Sequence, residues 1–82
     1  MTYEERNNIV LETIAKIKTI HDQYTSSSKL LNDEEWQNYI DEMDAIPENF
    51  RGTNLQDFIG ELVMVFLDDT ERMQKKLKRV KT

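Results

Sequence analysis

The spacing of apolar positions near the start of the chain predicts an amphipathic helix. Side chains that are apolar or partly apolar recur at steps of four and three residues and so share one face: Val10, Ile14, Ile17, His21 and Tyr24. Thr2 and Glu5 have the spacing of a capping box, in which each side chain bonds the other residue's backbone N–H. We therefore expect a first helix at about residues 3–24. The hydroxyl residues at 25–28 favour a loop or a frayed end, or a weak joint within one longer helix.

A second helix is predicted at about residues 33–45. Asn32 is a good N-cap with Glu35 at the matching capping-box position, and Leu31 and Trp36 occupy the two positions of a hydrophobic staple. Apolar side chains then follow at helical spacing: Trp36, Tyr39, Ile40 and Met43.

The second helix is expected to end near Ala45. Pro47 disfavours the helical conformation of the residue before it, which is Ile46. Gly52, five residues later, suits a tight connection because it adopts positive φ without strain.

The longest apolar pattern predicts a third helix at about residues 54–80. Thr53 is placed to cap it, with Gln56 at the capping-box position. The pattern keeps steps of three and four, with one turn missing at Asp69 and Thr70: Leu55, Ile59, Leu62, Phe66, Met73, Leu77 and Val80. Residues 58–67 are apolar on nearly every side. A β-strand at 62–67 is the alternative, but the cap before it and the helical spacing around it favour a helix.

These patterns predict an all-α protein, a small three-helix unit in which residues 1–82 form a single domain. Two Gly and one Pro argue against a turn-rich β fold. A chain of 82 residues buries a thin core, and it has no cysteine for a disulfide, so we expect it to oligomerise. Its longest apolar run is six residues, against the ~20 of a membrane-spanning helix, and its first residues do not resemble a signal peptide. A soluble, cytoplasmic protein is expected.

Charge is distributed unevenly. Residues 1–70 carry fifteen acidic and five basic residues, whereas the basic end at residues 71–82 carries one acidic and six basic residues. We therefore expect the basic end of one copy to contact the acidic second helix of the next. The charges involved would be Asp41, Glu42, Asp44, Lys75, Lys76, Lys78 and Arg79. Such a head-to-tail contact forms rings or open arrays and weakens in salt.

Candidate chemistry is sparse. His21 is the only histidine and cysteine is absent, so the usual nucleophile–base and zinc-ligand sets cannot be assembled. The acids at 41–48 lack the spacing and central glycine of a calcium loop. The sequence therefore predicts a non-enzymatic protein without a cofactor or metal, in which His21 packs against other helices.

Apolar side chains exceed what three short helices can easily hide, and an uncovered patch marks a binding surface. We expect a partner's amphipathic helix to dock on an apolar face formed by Trp36, Met43, Phe58, Leu62, Val65, Phe66 and Met73. The predicted function is protein–protein interaction combined with self-association.

The whole chain has the character of a known group of proteins. It is short, cysteine-free, rich in Asn, Lys, Ile and Glu, and ends on the lysine-rich segment KKLKRVK. In this it resembles small proteins of tailed phages, and among them the siphophage tail-assembly chaperones that hold the tape-measure protein. The resemblance implies an oligomeric assembly chaperone for a helical partner, acting in the host cytoplasm.

Two other functions fit the charge pattern. The acidic second helix could imitate the charge of nucleic acid and inhibit a nucleic-acid-binding protein. Alternatively, the basic end could bind phosphates of DNA or RNA. The net charge of −10 over residues 1–70 would repel a polyanion, which disfavours the second alternative.

Overall fold

Three helices make up the fold. The computed structural model describes residues 2–27 and 29–81, and within them α1 spans Tyr3–Thr25, α2 spans Asp33–Glu48 and α3 spans Leu55–Lys81, with no strand. The predicted all-α, three-helix fold is confirmed. Ser28 and the side chain of Val80, which entered the predictions of the helix ends, lie outside the described residues.

The helices run up, down and up. Arg6 lies over the Phe58 ring at 5.7 Å, and His21 lies beside Asp69, so α1 and α3 run in the same direction. The short connections between consecutive helices place α2 antiparallel to both. None of the three helices, as far as they are described, combines the length and apolarity that crossing a bilayer requires.

The first two helices begin as their caps predict. The Glu5 N–H donates to Thr2 Oγ1 at 3.1 Å. At α2 the full capping box forms: the Glu35 N–H donates to Asn32 Oδ1 at 2.8 Å, and the Asn32 N–H donates to Glu35 Oε1 at 3.1 Å. These bonds satisfy backbone donors that a helix start otherwise leaves without partners.

The start of α3 is a variant of the predicted box. Thr53 Oγ1 accepts from the Leu55 N–H at 3.2 Å, while Gln56 Oε1 accepts from the Gly52 N–H at 3.3 Å instead of from Thr53. The Thr53 N–H is already used, because it donates to the Phe50 carbonyl. Gly52 has φ of 80°, as the turn requires.

The predicted end of α2 near Ala45 is wrong, because the helix continues through Pro47 to Glu48. Ile46, which was expected to leave the helical region, is buried in the core, and its packing outweighs the local preference of a residue before proline. The Phe50 N–H donates to the Pro47 carbonyl at 2.9 Å and closes the last turn.

The end of α1 agrees with the loop prediction and excludes one longer helix. Ser26 caps α1, with its N–H donating to the Asp22 carbonyl at 2.9 Å.

The core lies where the three helices meet. Its buried apolar side chains come from all of them: Val10, Ile17, Tyr39, Met43, Ile46, Leu55, Ile59 and Val63. The molecule measures 51 × 19 × 16 Å, so this core is long and narrow.

The turn missing from the apolar pattern of α3 is filled by a polar contact. Thr70 is fully buried, and its hydroxyl lies 2.8 Å from the Tyr39 hydroxyl. Thr70 Oγ1 also donates to the Phe66 carbonyl at 3.0 Å, so the Tyr39 hydroxyl is the donor to Thr70. Both hydroxyls are thereby satisfied inside the core.

Candidate functional site

A groove runs between α2 and α3 on the surface of the molecule. Its volume is about 610 Å³. The residues that line it belong to α2, to α3 and to the segment just before α2. We call it the α2–α3 groove, and define it by its apolar lining: Leu30, Leu31, Trp36, Ile40, Met64 and Leu67.

Gln74 holds one end of the groove in place. Its Oε1 accepts from the Leu31 N–H at 2.8 Å, and its Nε2 donates to the Lys29 carbonyl at 3.2 Å. Lys29 also pairs with Glu35, with 2.9 Å between Nζ and Oε2. The pKa of Glu35 is lowered, first by the Asn32 N–H and then by Lys29. The segment before α2 is therefore fastened to both helices, which fixes the leucines that line this end.

The two ends of the groove differ in charge, because only one of them carries lysines. Asp44 lies at the end formed by the last turns of α2, and Asp68 lies about one turn of α3 further towards Lys75 and Lys78. Lys75 and Lys78 flank the other end, together with two further acids, Asp33 and Glu71. Glu71 is paired with Lys75, with 3.2 Å between Oε1 and Nζ.

The predicted partner-binding residues do not form one face. Met43 is 0% exposed in the core, so its assignment to a docking face is corrected: the packing of three helices closes over it. Trp36 is half-buried in the groove. Phe58 and Val65 are exposed on α3, but neither lines the groove.

The remaining predicted side chains, Leu62, Phe66 and Met73, are half-buried. The Phe66 ring is covered partly by His21, in an edge contact with 5.1 Å between ring centroids.

Five of the six apolar groove residues were not among the predicted partner-binding residues: Leu30, Leu31, Ile40, Met64 and Leu67. A signal for them exists in the spacing. Ile40 follows Trp36 by four residues and Leu67 follows Met64 by three, so each pair shares one side of its helix.

The predicted self-association charges have different surroundings. Asp44, Lys75 and Lys78 lie on the groove rim. Asp41 accepts from Gln37 Nε2 at 2.9 Å, and Lys76 and Arg79 are exposed on α3.

Glu42 is engaged within the molecule. It accepts a hydrogen bond of 2.5 Å from the Tyr24 hydroxyl, which ties the end of α1 to α2. This bond, followed by burial, raises the pKa of Tyr24 from 10.0 to about 12. The neutral phenol is favoured in the folded state, so the bond stabilises the fold fully below pH 10 and its contribution is lost as the pH rises through about 12.

Replacing Glu42 with glutamine is expected to lower the pKa of Tyr24 towards 10.0, because an amide oxygen accepts the bond without a negative charge. Tyrosine ring-carbon NMR shifts, followed against pH, measure this pKa. The internal control is Tyr39, whose pKa is raised mainly by burial and should not change. An unchanged Tyr24 pKa in the variant would show that Glu42 does not cause the shift.

His21 packs as the sequence predicts. Its Nε2 lies 3.4 Å from Asp69 Oδ2 and its Nδ1 lies 3.7 Å from Asp22 Oδ1, beside the Phe66 ring. In the described part of the chain, no three metal-ligating side chains come close enough to hold an ion.

Comparison with protein-family models, characterised proteins and solved structures gives no match.

Proposed function

We propose that this chain is a non-enzymatic protein-interaction protein whose α2–α3 groove binds an amphipathic helix of a partner. The observation that carries the proposal is the groove itself, with six apolar side chains on a surface open to solvent. Covering apolar surface contributes about 25 cal/mol per Å² removed from water, so an occupant with an apolar stripe would be held there. The expected partner presents apolar side chains at i, i+3, i+4 and i+7.

The shape of the α2–α3 pair supports a helix as the occupant. On its other side the pair already packs against a helix, since α1 contributes Val10 and Ile17 to the common core. The groove is a second position at which a helix could pack against α2 and α3, because the side-chain ridges of two antiparallel helices leave a groove between them.

The role that we propose is that of an assembly chaperone for a long helical protein, such as a phage tape-measure protein, in the host cytoplasm. The resemblance of the whole chain to siphophage tail-assembly chaperones supports this role. The groove would cover the apolar stripe of the client helix, while the charged residues on its rim stay in water.

Trp36 provides the test, because it is the only tryptophan and lies in the groove. Titration with a synthetic amphipathic Leu/Lys helix should shift its fluorescence emission to shorter wavelength, since the ring is removed from water. A scrambled peptide of equal composition, which cannot form an apolar stripe, should have at least about tenfold lower affinity, or about 1.4 kcal/mol.

One variant tests the groove and a second, at a similarly exposed position outside it, serves as the control. Met64→Glu places a charge in the groove and should abolish the response, whereas Leu11→Glu changes a similarly exposed side chain on α1 (58% against 54% exposed) and should preserve it. Equal binding by both variants, or by both peptides, would contradict the proposal.

A further inference from the structure

We propose that, in the free protein, the α2–α3 groove of one copy is covered by the same groove of a second copy, related to it by a two-fold axis. This inference rests on the proposed function, in that it assumes the groove to be a docking surface for helices. It adds the identity of an occupant: another molecule of this chain, placed so that four helices, α2 and α3 of each copy, pack together.

Charge complementarity is the first argument for a second copy. The acidic end of the groove carries Asp44 and Asp68 with no base among its lining residues. At the opposite end, Lys75 and Lys78 line the groove together with Asp33 and Glu71, and Lys76 and Arg79 lie on the same turns of α3. Among the residues that line it, this end therefore holds two bases and two acids, whereas the acidic end holds two acids and no base.

A two-fold axis across the middle of the groove reverses the second copy. The acidic end of each molecule then faces the lysine end of the other, and the match occurs twice. A parallel arrangement would place acids against acids, which is unfavourable in an interface. The same surface patch thus serves as both sides of the contact.

The apolar lining suits a symmetric contact as well. Four of its apolar side chains come from the helices, two from each: Trp36, Ile40, Met64 and Leu67. Met64 is 54% exposed and unbranched, so it can adapt to the facing surface. Tryptophan is among the residue types enriched at the energetic centre of interfaces, and Trp36 lines this groove.

The size of the surface predicts the strength of the contact. Two helices about 10 Å wide, along the roughly 24 Å length of α2, present on the order of 500 Å² per copy. The total of roughly 1,000 Å² lies at the lower limit for specific interfaces. We therefore expect a weak dimer that dissociates on dilution and yields the groove to a helical partner. Unlike the head-to-tail contact expected from the sequence, it closes at two copies.

Sedimentation velocity over about 5–500 μM tests this directly, a range that spans micromolar dissociation constants. The wild-type mass should rise from the 9.8 kDa of one chain to twice that value and stop. Met64→Glu should weaken association by about tenfold or more, because it buries a charge, and Leu11→Glu should leave it unchanged.

Charge reversal then tests the two-fold arrangement. The double variants Lys75→Glu/Lys78→Glu and Asp44→Lys/Asp68→Lys should each be monomeric alone, because reversed copies then place acids against acids in the first variant and lysines against lysines in the second. Mixed in equal amounts, they should form a heterodimer, because each end of one variant then faces opposite charge on the other.

A wild-type monomer throughout the range, growth beyond two copies, or failure of the mixed variants to pair would each overturn the inference. The proposed function is judged separately. A monomer whose Trp36 still responds to the amphipathic peptide would refute the dimer alone. If the protein dimerises at high concentration, but the Trp36 emission of the diluted monomer does not change when the peptide is added, helix binding is refuted and the dimer is not.

Discussion

Replacing Val63 with aspartate is expected to unfold the protein, whereas the same replacement at Val65 is expected to leave it folded. The two residues lie two positions apart on α3, but Val63 is 1% exposed and Val65 is 64% exposed. A carboxylate forced into the core without a partner costs several kcal/mol. A folded chain of 82 residues has a stability of only about 4–12 kcal/mol, so this loss is enough to abolish the fold.

The pair is its own control. Both variants start from valine and introduce the same residue within the same helix, so their helix propensities change equally. Circular dichroism at 222 nm and urea unfolding measure the outcome, with Val65→Asp expected within about 0.5 kcal/mol of the wild type after allowance for propensity. Comparable destabilisation of both variants would mean that α3 does not present Val63 to the core.

The second large effect is expected at the buried hydroxyl pair. Thr70→Val keeps the shape of the side chain but removes the acceptor of the Tyr39 hydroxyl. A buried donor without a partner costs about 1–3 kcal/mol. Tyr39→Phe should cost about 1 kcal/mol, because Thr70 still donates to the Phe66 carbonyl and only one hydrogen bond is lost.

A double-mutant cycle separates the pair from the rest of the core. Because Tyr39→Phe also removes the unsatisfied donor, the double variant should be more stable than Thr70→Val alone, which requires a coupling of more than about 1 kcal/mol. Chemical denaturation of the four proteins gives the coupling energy. Strictly additive losses would show that the two hydroxyls do not bond.

The helices could be predicted from the sequence because their signals are local. The caps at Thr2 and Asn32 predicted where α1 and α2 begin, and the spacing of apolar residues predicted the bounds of α1 and α3 to within one residue of those observed. Pro47 misled the prediction for α2, because its local effect was weighed without the burial of Ile46, a long-range contact. Thr70 was read as a gap for the same reason: its partner, Tyr39, lies on another helix.

The groove was only partly predictable. The sequence identified Trp36 as a surface anchor, but it also placed Met43 on that surface, because apolar residues on a helix look alike until the packing partners are known. The side chain of Gln74 forms hydrogen bonds with the backbone of Lys29 and Leu31, more than forty residues away along the chain. No local sequence pattern predicts such a bond.

The fold explains how so small a protein keeps an apolar groove exposed. The shared core and the Tyr39–Thr70 bond fix α3 against α2, while Gln74 fastens the segment that closes one end of the groove. The groove is thus held in shape by contacts within the molecule, so an occupant needs little rearrangement to enter.

Methyl NMR of the methionines tests the central claim, that this groove is a docking surface, most directly. Met64 lies in the groove and Met43 lies in the core of the same molecule. On titration with the amphipathic Leu/Lys helix, we predict that the methyl resonance of Met64 shifts progressively while that of Met43 stays in place. A bound peptide that leaves the Met64 resonance unmoved would contradict the account.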